Sequence, residues 1–146
     1  MCEVVIGDEE QSHVRIVNFT RTHPDQNDYW DGNWLSCKIQ VSSGRFWGEV
    51  DACLRSDEFD SFLKQLLPVY QSLGGKAEYH SLEDWMTIEL AGDGKGHIIV
   101  SGNIMDTRCE GNSLKFQFNS DRTSLQRTIR SLNELLARFP TVGKRC

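Results

Sequence analysis

From Trp34 to Phe139 the apolar residues switch three times between a spacing of two and the helical spacing, and no feature of the chain restricts its fold more. Leu35, Cys37, Ile39 and Val41 alternate with polar residues, and after a Ser-Gly turn Phe46, Gly48, Val50, Ala52 and Leu54 do the same. The pattern predicts a β-hairpin with these residues on its buried face. A two-residue turn at Ser43-Gly44 pairs Val41 with Phe46, Ile39 with Gly48, Cys37 with Val50 and Leu35 with Ala52. The outer face then sets Lys38 opposite Glu49 and Gln40 opposite Trp47. The charged pair contributes roughly 0.2–1 kcal/mol in such a position.

After Leu54 the spacing becomes helical. Ser56 and Asp57 offer N-caps, and Phe59, Phe62, Leu63, Leu66, Leu67, Tyr70 and Leu73 form one stripe that Gly74-Gly75 ends. Pro68 removes a backbone donor inside this stripe and is expected to kink the helix or divide it near Leu67. Strands return at Ala77–His80, Trp85–Ala91, His97–Ile104 and Leu114–Phe118, with turns at Gly92–Gly96 and Gly111–Ser113. A second helix is predicted from about Thr123 to Phe139 along Leu125, Ile129, Leu132, Leu136 and Phe139, stopped by Pro140. Upstream of the hairpin, Glu3–Ile6 and Val14–Phe19 read as short strands, and the polar stretch Thr20–Asn33 as a loop. There is no βαβ rhythm and no repeat of solenoid period. The fold class is therefore α+β: an antiparallel sheet of about six to eight strands flanked by two amphipathic helices, one covering each side.

At 146 residues and 16.7 kDa the chain fits a single domain, 1–146. No apolar run approaches the roughly 18–20 residues that span a bilayer. The start MCEVVIGDEE lacks a basic n-region, so a conventional secretion signal is not expected and a cytoplasmic location is. Sixteen Lys plus Arg against twenty-one Asp plus Glu give a net charge of -5, which disfavours nucleic acid and points to a basic partner. Five cysteines, at 2, 37, 53, 109 and 146, form no CxxC pair and no zinc spacing, and three fall at ordinary strand positions. Free thiols in a reducing compartment are expected.

The chemistry-bearing patterns are few. Gly92-Asp93-Gly94-Lys95-Gly96 resembles a phosphate loop, but a strand rather than a helix follows Lys95, so a hairpin turn is the better reading. Asn27–Gly32 has the oxygen-rich look of a calcium loop, yet Lys38 stands where a bidentate Glu is required. Neither metal nor cofactor is expected. His13, His23, His80 and His97 make no HExxH or paired spacing, and no Ser lies in a GxSxG context. Cys53 and Cys109 could each meet a histidine in three dimensions and serve as a nucleophile, but an acidic chain offers them little activation. No catalytic residue is assigned.

The densest patch is Asp25-Gln26-Asn27-Asp28-Tyr29-Trp30-Asp31-Gly32-Asn33-Trp34, with three acids and three aromatics in ten residues. It fits recognition of a cationic protein, through large rings and carboxylates that pair with Arg or Lys. It fits equally a packing role, in which Trp30 and Trp34 anchor the loop and the acids build its turn. Under the first reading the contact residues are Asp25, Asp28, Tyr29, Trp30, Asp31 and Trp34, with Trp47 and Glu49 on the neighbouring outer strand as secondary members. Asp51 and the acids Asp57, Glu58 and Asp60 of the first helical turn extend the same negative surface, although carboxylates there stabilise a helix without any partner.

The run Tyr29-Trp30-Asp31-Gly32-Asn33-Trp34-Leu35, then Phe46-x-Gly48 and an acid-started helix, then Gly96-x-Ile98-x-Val100-x-Gly102 and Leu114-x-Phe116-x-Phe118 with Thr123 opening the last helix, resembles the WapI-type bacterial immunity proteins over residues 13 to 138. The resemblance implies a small cytoplasmic protein that protects its producer by binding the C-terminal toxin domain of a contact-delivered wall-associated protein, the namesake toxin being a tRNA-cleaving nuclease. It implies no catalytic residue. Two other readings remain: a β-rich module that binds a sugar or small metabolite through exposed Trp and Asp, and a cysteine-dependent enzyme.

Overall fold

The computed structural model describes residues 2–145. Eight strands form two antiparallel sheets of four. The first contains β1 (Val4–Gly7), β2 (His13–Arg21), β3 (Trp34–Ser43) and β4 (Phe46–Arg55) in that spatial order, and α1 (Tyr29–Gly32) lies between β2 and β3. Helix α2 (Ser56–Ser72) leads to β5 (Gly74–His80), β6 (Met86–Asp93), β7 (Ile98–Thr107) and β8 (Glu110–Ser120), the second sheet, and α3 (Arg122–Arg138) follows. The fold is α+β, as the periodicity predicts, but the strands divide between two sheets.

The inner faces carry the alternating apolar residues. Val14, Ile16, Cys37, Ile39, Val41 and Leu54 of the first sheet and Ala77, Ile88, Leu90, Ile98, Val100 and Phe118 of the second are buried together in one core. The sheets approach each other where β3 and β4 meet β8 and β7; at the opposite side, α3 lies along β1, α2 along β5, and the helices pack on each other. The expectation that each helix covers a separate side is therefore corrected. Two sheets already cover one another over half the core, so both stripes fill the remaining opening.

Helix α2 buries Phe59, Phe62, Leu63, Leu66 and Val69, while Leu67, expected in the stripe, is exposed. It runs unbroken past Pro68, so the predicted division does not occur. The proline is exposed, and the stripe on either side of it docks on one continuous surface. The helix ends at Leu73, in the left-handed conformation at φ 60°, so Gly74 and Gly75 already pair with Asp93 and Gly92 in β5. Asp121 caps α3 by accepting a hydrogen bond from the Ser124 N–H at 2.8 Å.

The central hairpin has the predicted faces but a different register. Its turn residues are Gly44 and Arg45, with Ser43 opposite Phe46, Val41 opposite Gly48, Ile39 opposite Val50, Cys37 opposite Ala52 and Leu35 opposite Leu54. Gly44 is the first turn residue, at φ +60°, the conformation a tight hairpin requires there. The shift of two leaves every side chain on its face and changes only its partner. Lys38 now faces Asp51 and Gln40 faces Glu49, which accepts a 2.8 Å hydrogen bond from the Gln40 amide. Phe46, predicted on the buried face, is 70% exposed: it flanks the turn of an edge strand, with only Ser43 beside it.

Two other boundaries differ. Strand β2 continues to Arg21 through a bulge at Asn18, and the tract read as loop from Thr20 to Asn33 contains α1. The last hairpin turns at Arg108-Cys109 rather than at Gly111–Ser113, with Cys109 at φ 63°. A bulge follows, held by Asp106, which accepts from both the backbone and side-chain N–H of Asn112.

Candidate protein-binding site

The acid- and aromatic-rich run folds around one buried cation. Asp28 caps α1 by accepting from the Asp31 N–H at 3.0 Å, which makes Tyr29–Gly32 a single helical turn. Arg55, at the end of β4 and opposite Trp34, is 1% exposed. Its guanidinium donates to the carbonyls of Tyr29 and Trp30, each at 2.7 Å, and to Asp57 at 2.9 Å. It also lies over the rings of Trp34, Tyr29 and Trp30, with centroids 4.8, 5.2 and 5.6 Å away. Each nitrogen of the fork thus donates to an oxygen, and three rings shield the charge.

Residues 140–143 close the same knot from outside. Buried Asn33 donates to the carbonyls of Tyr29 and Val142 and accepts from the Val142 N–H at 2.8 Å. Arg21 donates to the carbonyls of Gly32 and Pro140. Gly143, at φ +71°, passes so close that a Cβ there would collide with the Tyr29 nitrogen.

Beside this knot lies a cavity of about 210 Å³, walled by Trp30, Asp57, Glu58, His80, Leu82 and Arg145 among others. Its carboxylates are committed. Asp57 accepts from Arg55 and, at 2.8 Å, from the Tyr29 hydroxyl. Glu58 accepts from the Arg55 N–H, the Tyr79 hydroxyl and the Leu82 N–H. Burial pushes the Glu58 carboxyl above its usual range although those three donors pull it down. Burial likewise raises the Tyr79 phenol well above its usual value. Tyr29 is raised by burial and by its bond to Asp57. Asp57 and Glu58 thus each bind several internal donors.

At the cavity wall the ring of Trp30 is half-exposed (48%) and Leu82 is exposed, and Asp25, Asp28 and Asp31, in and just before α1, are exposed as well. Trp30 meets Tyr29 edge to face at 5.0 Å, and the Arg145 guanidinium lies 5.9 Å from its centroid. Trp34 is half-buried against Arg55. Packing and presentation thus share the aromatic run, with Trp34 and Tyr29 nearer the first and Trp30 divided between them. Trp47 and Glu49 do not join this patch. Trp47 lies eight residues along β4 from Arg55, about 26 Å at roughly 3.3 Å per residue. Trp47 is 65% exposed next to Phe46 and makes a separate surface at the hairpin tip.

Arg55 and Asn33, which organise the site, are not among the residues that composition singles out. The available signal is a lone arginine between the last apolar residue of a strand, Leu54, and an acid-started helix, where the register sets it beside Trp34.

The remaining patterns are structural. The glycine-rich run is a hairpin turn in which Asp93 accepts from the N–H groups of Lys95 and His97; these bonds hold its carboxyl below the usual range. Among the described residues no three His, Cys, Asp or Glu side chains group as a metal site. Cys2, Cys37, Cys53 and Cys109 are free thiols, and Cys146 lies outside the described residues. Burial drives Cys37 far above the ordinary thiol range. Cys109 bonds to the Glu83 carbonyl and lies 4.0 Å from the Asp84 carboxylate. No helix among the described residues is long and apolar enough to cross a membrane.

A family model, the immunity protein WapI-like family, matches residues 5–140, and the chain belongs to that family. None of the curated proteins matches the chain. Among solved structures it is similar to a chain of the CdiA-CT/CdiI toxin and immunity complex from Enterobacter cloacae, with 16% identity, TM-score 0.44, 68% of this chain and 88% of that one covered. It is also similar to a chain of a guide-RNA-binding protein complex bound to a gRNA, with 13% identity, TM-score 0.48, and 92% and 88% covered.

Proposed function

We propose that this protein neutralises a contact-delivered polymorphic toxin by binding the toxin's C-terminal domain in the cytoplasm, without catalysis of its own. Membership of the immunity family across residues 5–140 carries this reading. The site chemistry agrees with it, since Asp57 and Glu58 are already saturated and the outward groups are a half-exposed tryptophan flanked by acids. A nuclease domain is cationic along its substrate path, and a net charge of -5 favours encounter with such a surface. The contact residues are Asp25, Asp28, Tyr29, Trp30, Asp31 and Trp34, with Trp47 and Glu49 as a second, separate contact.

Co-expression with the variable C-terminal domain of a large secreted toxin, sought in the reading frame immediately upstream, tests the reading. Rescue of growth and co-purification are expected, and Trp30→Ala weakens binding by at least ~2 kcal/mol if this ring is a central anchor. Unaltered toxicity and no complex refute the function. A rise in melting temperature with a sugar or small metabolite from a screening panel favours a ligand-binding module instead.

A further inference from the structure

The four edges of the two sheets are treated unequally. In a two-residue hairpin the pair flanking the turn exchanges backbone hydrogen bonds, and bonded positions then alternate along the ladder. Phe46 is such a residue, so Phe46, Gly48, Val50, Ala52 and Leu54 bond to β3, while the N–H and C=O groups of Trp47, Glu49, Asp51 and Cys53 point away from the sheet. Each of the other edges has at least one such outward group with a partner. On β1, the Val5 N–H donates to Ser131 Oγ and the Val5 carbonyl accepts from Thr128 Oγ1 of α3. On β5, the Gln65 amide of α2 both accepts from and donates to the backbone of Glu78, as a neighbouring strand residue would. On β8, the Gln117 carbonyl accepts from Ser43 Oγ. Among the described residues no hydrogen bond reaches the outward backbone groups of Trp47, Glu49, Asp51 or Cys53.

The side chains along this open edge are selective. Glu49 and Asp51 share one cation, Lys38, at 3.8 and 3.9 Å, and the Asp51 side chain is 88% exposed. A second copy added antiparallel about Glu49, Val50 or Asp51 would set these acids against themselves or each other, which penalises self-pairing. A strand carrying Lys or Arg on the outer face and apolar residues on the inner face meets complementary charge instead. We infer that the β4 edge from Trp47 to Cys53 receives an extended, basic segment of the toxin domain as a fifth strand of the first sheet. This rests on the immunity reading above and names how the partner is held.

Amide hydrogen exchange on the protein alone and mixed with a toxin domain from which it rescues growth tests it. The amides of Trp47, Glu49, Asp51 and Cys53 exchange readily in the free protein and become protected at least ~tenfold in the complex. Proline at position 51 removes only an outward N–H, so the β3 ladder survives. Asp51→Pro binds at least ~tenfold more weakly than Asp51→Asn, which loses the charge but keeps the donor, in line with about one hydrogen bond. A complex that forms while those four amides stay unprotected overturns the inference and leaves the immunity reading standing. Equal binding by the two variants overturns it as well. Failure to form any complex, with no rescue from toxicity, overturns both. Should Asp51→Pro not fold, exchange in the wild-type complex decides.

Discussion

Arg55 carries a full charge at 1% exposure, a position that costs several kcal/mol unless its donors are met. Here two carbonyls of α1, the Asp57 carboxylate and three rings meet it, and the same bonds fix the turn that presents Trp30. Arg55→Met leaves the Tyr29 and Trp30 carbonyls and the Asp57 carboxylate short of partners. A loss of about 3–5 kcal/mol in urea denaturation is expected. Trp30→Ala removes only the half-exposed ring and costs about 1–2 kcal/mol. Glu58 bears a different liability. Its carboxyl titrates above the usual ~4.3, so the native state holds the proton more tightly than the unfolded chain does. Its contribution to stability therefore falls as pH rises from about 4.3 through the raised native value. Glu58→Gln abolishes this slope. Thermal melts between about pH 4 and pH 7 should show the wild type losing ground to the variant as pH increases.

The elements themselves explain what could be read from the letters. Periodicity located α2, α3 and most strands because one face of each is buried, and burial is what writes an apolar period into a sequence. Register was less legible. The same alternation suits any even shift, and the choice fell to Gly44 rather than Ser43 as the first turn residue. The Arg108-Cys109 turn was hidden because a cysteine at φ 63° replaces the expected glycine. Of the site, the acids and rings were visible as a cluster, whereas Arg55 reaches it only through the pairing of β3 with β4. Pro68 offers a test at this scale. It is exposed inside an unbroken helix, so Pro68→Ala restores a backbone donor without disturbing the buried stripe. Stabilisation is expected, up to about 3 kcal/mol, read as a higher urea midpoint with an unchanged slope.

Across the whole molecule the acids assigned to binding under the proposed function fall in two parts of the chain. Asp25, Asp28 and Asp31 are exposed in and just before α1, within five residues of Trp30 in sequence, and Glu49 and Asp51 line the open edge of β4. Charges at such exposed positions act over about 8–10 Å at physiological ionic strength, far enough to orient an approaching cationic domain but not to hold it. Under the proposed function holding falls to the rings, and under the inference above to backbone pairing. The two contributions separate kinetically. Replacing Asp25, Asp28 and Asp31 together by asparagine removes three negative charges, while the amide oxygen introduced by Asp28→Asn can still accept the capping hydrogen bond that α1 needs. Association with the toxin domain should slow about tenfold near 50 mM salt, with dissociation little changed, and the difference from wild type should vanish toward roughly 500 mM. An effect confined to dissociation and indifferent to salt would place these carboxylates in direct, desolvated contact instead.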